Sequence, residues 1–107
     1  MRLVIALVTM IALVTPAMAG MPEYTLVLHH HTYQPQTLKI PAGTKVKLVV
    51  ENKDATPEEF ESTDFSREKL VMPHGKITVY VGPLRKGTYR FFGDFHQATA
   101  QGRLIVE

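Results

Sequence analysis

The chain has 107 residues, a net charge of +2 with its five histidines neutral, and no cysteine. That length holds one domain beside a short leader. The missing thiols exclude a disulfide framework and any thiolate-ligated metal, and the scattered lysines and arginines lack the concentrated basic face that nucleic acid selects.

Met1-Arg2, an apolar run from Leu3 to Thr15, and Pro16 before Ala17-Met18-Ala19 carry the marks of a secretory signal peptide, with cleavage expected after Ala19. The run is shorter than the roughly 20 apolar residues that span a bilayer. The expected mature chain is therefore Gly20 to Glu107, exported and not membrane-spanning. Without Arg2 it holds 11 basic against 10 acidic residues. Its stability must come from packing, helped by any ion it binds.

Tyr24 to His29 is rich in β-formers and predicts a first strand ending in His29-His30-His31. If the strand continues, His29 and His31 share a face, and imidazoles two residues apart can chelate copper(II), zinc or nickel. The plainer reading is a polar strand end. Tyr33-Gln34-Pro35 marks an edge or crossover, because proline cannot donate to a ladder. Leu38 and Ile40 lead into the Ala42-Gly43 turn, and Val46, Leu48 and Val50 alternate with Lys45, Lys47 and Val49 as a strand closed by Asn52-Lys53-Asp54.

The segment Asp54 to Ser62 holds Glu58, Glu59 and Glu61. Side chains alternate along a strand, so Glu59 and Glu61 share one face while Glu58 and Phe60 share the other, and Phe60 is expected in the core. Ser62 to Lys69 reads as a turn or short helix. Val71 to Lys76 is a turn carrying Met72 and His74, and Ile77 to Val81 is a strand. Gly82 to Thr88 loops into Tyr89 and Phe91, then Gly93, Asp94 and His96, the Gly102 turn, and a closing strand Leu104-Ile105-Val106. Six or seven short strands between Gly and Pro turns predict an all-β, Greek-key sandwich of about seven strands.

The last stretch resembles the C-terminal ligand loop of the cupredoxins, Tyr-x-Phe-x-Cys-x-x-His, a few residues, then Met and x-Gly. Tyr89, Phe91, His96 and Gly102 match it, while Gly93 stands in the place of the cysteine and Ala100 near that of the methionine. Tyr33-x-Pro35, Ala42-Gly43-Thr44 and Asn52 resemble the family's first half, where a copper histidine follows; glutamates stand there instead. A blue-copper centre depends on its thiolate, so the resemblance implies the frame without that electron-transfer centre. Glu58, at the inner end of its strand, is one replacement for the missing histidine.

A closer resemblance rests on Pro57-Glu58-Glu59-Phe60-Glu61-Ser62, on Glu68-Lys69, on Pro73-x-Gly75, and on Gly87-Thr88-Tyr89-x-Phe91-Phe92-x-Asp94-Phe95-His96. These are similar to the EfeO-type cupredoxin-like domain of bacterial periplasmic iron-uptake systems. The resemblance implies a periplasmic metal-binding accessory of iron uptake that meets an iron permease, with an iron or copper ion as ligand. It favours Glu59, Glu61, Asp94 and His96 as metal ligands, with Glu58, His29 and His31 as alternates.

Several carboxylates beside one imidazole suit iron or another oxygen-seeking ion better than copper(I), and Met21 and Met72 are too few for a methionine-rich copper(I) carrier. Two other readings stay open: a metal-free adaptor acting by protein contact, and a copper(II)-binding protein using the histidine run. Ferrous oxidation with bound copper and a homodimer that completes a shallow site also stay open. No hydrolytic triad is visible.

Overall fold

The computed structural model describes residues 20 to 107; the expected signal peptide lies outside the described residues. Among the described residues nine strands form, β1 (Glu23–His29), β2 (Thr32–Gln34), β3 (Thr37–Ile40), β4 (Val46–Asn52), β5 (Glu58–Ser62), β6 (Arg67–Val71), β7 (Lys76–Val81), β8 (Gly87–Gly93) and β9 (Gln101–Val106). A single turn of 3-10 helix, Asp94–His96, interrupts the last hairpin. Among the described residues no helix is long and apolar enough to cross a membrane.

The strands make two sheets, ordered β2-β1-β4-β7 and β3-β9-β8-β5-β6. Parallel pairing of β1 with β4 and of β3 with β9 is what crossovers between the sheets produce, while the hairpins are antiparallel. The all-β sandwich expected from the sequence is present. It has nine strands rather than about seven because Pro35 splits one extended stretch into β2 and β3, and because the polar segment after Ser62 turns at 63 to 66 and then pairs as β6.

Alternation builds the core. Leu26 and Leu28 of β1, Leu48 and Val50 of β4, and Val79 and Val81 of β7 face Phe60, Phe91, Leu104 and Val106 of the second sheet, all buried. Tyr33 lies at the centre, its ring edge-on to Phe91 at 5.2 Å and to Phe60 at 6.1 Å, geometry that suits the aromatic quadrupole.

Two devices fix the end of the sandwich where the loops gather. Buried Asn52 donates from Nδ2 to the Thr56 carbonyl at 2.8 Å and the Met72 carbonyl at 3.2 Å, and its Oδ1 accepts from the Asp54 amide. One amide thereby sets the loop that delivers β5. Along the side, Arg67 and Lys69 of edge strand β6 donate to the Tyr80 and Thr78 carbonyls of β7, which occupies acceptors that an open edge would offer to another chain.

Candidate metal centre

Strand β5 alternates as its sequence requires. Glu58, Phe60 and Ser62 are buried, and Glu59 and Glu61 face outward at intermediate exposure. The 3-10 turn that follows β8 brings Asp94 to the same outer face. Glu59, Glu61 and Asp94 each offer a carboxylate oxygen within 4.8 Å of the others. Glu61 lies opposite Glu68 across the β5–β6 ladder. Partial desolvation, then the carboxylates of Glu68, Asp94 and Glu61, push the Glu59 carboxyl above its ordinary range, and Glu61 moves the same way under desolvation, Asp94 and Glu68. Such mutual repulsion is what a bound cation relieves. Asp94 accepts from the Gln97 side chain at 2.7 Å rather than from turn amides.

His96 does not join this cluster. Its Nδ1 lies 2.6 Å from Glu58 Oε2, and Glu58 Oε1 accepts from the Phe95 amide at 2.8 Å and the Glu59 amide at 3.0 Å. An ionised Glu58 only accepts, and pairing with it requires the tautomer of His96 that carries a proton on Nδ1. Glu58 is 1% exposed, while the His96 side chain keeps 28% of its surface open. Glu59, Glu61 and Asp94, expected with His96 as one ligand set, therefore gather without it, because Glu58 on the opposite face of β5 claims the imidazole.

The histidine run also departs from expectation. β1 stops at His29, and His30 and His31 take left-handed backbone conformations, φ 52° and 57°. Their amides both donate to Asp54, at 2.8 and 3.0 Å, which pins the turn. Burial opposes ionisation of Asp54, yet these two amides, followed by the neighbouring His31 and His29, hold its carboxyl below the usual range. His29 and His31 consequently do not share a strand face. His29 and His30 group with Asp54 as potential ligands, while His31 stacks on His96 with ring centroids 3.7 Å apart.

Glu68 and Asp54 were not expected among the site residues, and Glu58 and His96, each expected as a ligand, were not expected to bond to one another. Gly93 was the available signal, since a glycine in a ligand's place leaves room for a neighbour. A Cβ there would lie 2.5 Å from Glu58 Cδ and 2.8 Å from the Ala100 methyl. A blue-copper ligand set does not fit this centre, which has no thiol and no space for one. Tyr33, whose burial and then the nearby Glu58 hold its phenol well above the ordinary range, has a buried hydroxyl without a partner among the described residues.

Residues 2 to 106 match the family model described as a cupredoxin-like domain. An uncharacterized protein of Rickettsia prowazekii (strain Madrid E) is 48% identical over 84 residues, covering 78% of this chain and 67% of that protein. Auracyanin A, a blue copper protein of Chloroflexus aurantiacus, superposes with a TM-score of 0.69 at 14% identity, over 82% of this chain and 100% of that one. The metal-binding domain of the Streptococcus pneumoniae Cu(I)-exporting P-type ATPase CopA, solved with Cu(I), gives 0.75 at 11% identity, over 83% and 88%. At such identities the two structures are alike in fold.

Proposed function

The chain belongs to the cupredoxin-like domain family, and from that premise we propose that it is a periplasmic metal-binding accessory of bacterial iron uptake, holding iron at Glu59, Glu61 and Asp94 and passing it to a membrane permease. The convergence of those three carboxylates within 4.8 Å carries the reading. An all-oxygen set favours a hard cation over copper(I). Placement on an outer sheet face leaves coordination positions for a carrier ligand or a second protein, which transfer requires. The loop resemblance to the EfeO type and the leader-like N-terminus support the compartment and the pathway.

Thermal unfolding with ferric citrate, anaerobic ferrous iron, manganese, zinc and copper(II) tests it. A ligand at 100 times its Kd adds about 2.7 kcal/mol. A melting-temperature rise with iron that disappears in Glu59→Gln/Glu61→Gln is the expected result; no rise with any ion leaves the adaptor reading.

A second reading rests on the gathering of His29, His30 and Asp54 with an ionised carboxylate. Two imidazoles and a carboxylate suit copper(II) or zinc. A rise with those ions that is lost in His29→Gln/His30→Gln, and kept in the glutamate variant, marks this second place.

A further inference from the structure

We infer that the Glu58–His96 pair itself occupies the interior centre of this sandwich, so that the centre is closed to copper and Glu58 is a built-in occupant rather than a metal ligand. The carboxylate group fills the space. Its Cδ stands 2.5 Å from where a Cβ of residue 93 would be, with the Ala100 methyl 2.8 Å from that same point. Glycine at 93 is required by this neighbour, since its backbone, φ -98° and ψ 116°, is open to any residue.

The bonding is also complete. A buried carboxylate is tolerated only when paired and hydrogen-bonded, and Glu58 has two backbone amides on Oε1 and the His96 imidazole on Oε2. A bridging ion bound about 2.0–2.2 Å from both a nitrogen and an oxygen at a tetrahedral angle holds them roughly 3.4 Å apart. The observed 2.6 Å is that of a short, direct hydrogen bond and leaves no room for an ion between the two atoms. His96 Nδ1 therefore faces a proton acceptor where a metal ligand would face an ion, and metal binding elsewhere on the chain does not involve it.

The two roles predict opposite signs on mutation. Deleting a ligand weakens copper binding; deleting an occupant opens space beside a freed imidazole and strengthens it. The test is titration of the full chain, Glu58→Gln and Glu58→Ala with diamagnetic copper(I) under reductant, read by competition affinity and by NMR of the Phe95 amide and His96 ring. In the unchanged protein these signals stay in place with one equivalent of copper. Glu58→Gln, which keeps the volume, leaves copper affinity unaltered, and Glu58→Ala gains about tenfold or more, with the His96 ring shifting. Movement of the Phe95 and His96 signals by copper in the unchanged protein, or a tenfold loss in Glu58→Gln, overturns the inference; the second readout survives even if Glu58→Ala does not fold. Iron binding at the outer carboxylates is unaffected by either result, so the proposed function is judged separately.

Discussion

Glu58 and Gly93 compete for one volume: the carboxylate of the first lies where the side chain of the second would begin. Gly93→Ala is therefore an overpacking substitution, which typically costs about 1–3 kcal/mol. For a domain of this size each kcal/mol lowers the melting temperature by roughly 4–8 °C. Thermal unfolding should show that drop. In a double-mutant cycle with Glu58→Ala the two effects should fall well short of additivity, because the truncated carboxylate no longer meets the added methyl. Full additivity would place the strain elsewhere.

The Glu58–His96 contact predicts an asymmetry at His96. His96→Ala removes one of the three donors to a buried carboxylate, and leaving a buried acceptor short of a partner costs about 1–3 kcal/mol. His96→Gln keeps an N–H donor within reach and should lose much less. Urea unfolding at neutral pH distinguishes them through midpoints at unchanged slope. Equal losses for both variants would mean that ring stacking on His31, rather than the bond to Glu58, is what His96 contributes.

These contacts also mark the limit of sequence reading. The period of two in Val46–Val50 and in Glu58–Ser62 is local, and it correctly placed Phe60 inward and Glu59 and Glu61 outward. Pro35, expected at an edge or crossover, lies where the chain passes from β2 in one sheet to β3 in the other. Glu58 and His96 are 38 positions apart, and Asp54 holds the amide of His30 across 24. Neither has a local period. The left-handed His30–His31 turn depends on that distant carboxylate, so three consecutive histidines read as the end of an extended strand. Edge strand β6 was hidden because nearly all its residues are exposed, which erases alternation.

The carboxylate cluster makes stability fall as pH rises. Folded-state pKa values of Glu59 and Glu61 lie above the ordinary 4.5. The unfolded chain then releases its protons first, and the stabilisation present below pH 4.5 is lost as pH climbs through the raised folded values. Asp54 acts in the opposite sense, contributing above its ordinary 3.8 and losing that contribution as pH falls below it. Melting temperature measured from pH 3 to 7 should therefore decline above about 4.5 in the unchanged protein more than in Glu59→Gln/Glu61→Gln. A steeper decline in the glutamine variant would show that the carboxylates are separated in solution.

Tyr33 gives the last prediction. Its side chain is fully buried and its hydroxyl has no hydrogen-bond partner among the described residues. Burying a hydroxyl unpaired carries a desolvation penalty of about 1–3 kcal/mol. Tyr33→Phe removes the polar atom and keeps the ring that meets Phe60 and Phe91 edge-on. The variant should melt at or above the temperature of the unchanged protein. A fall in melting temperature would mean that the hydroxyl is paired in solution, and the aromatic centre of the sandwich would then have a polar role beside Glu58.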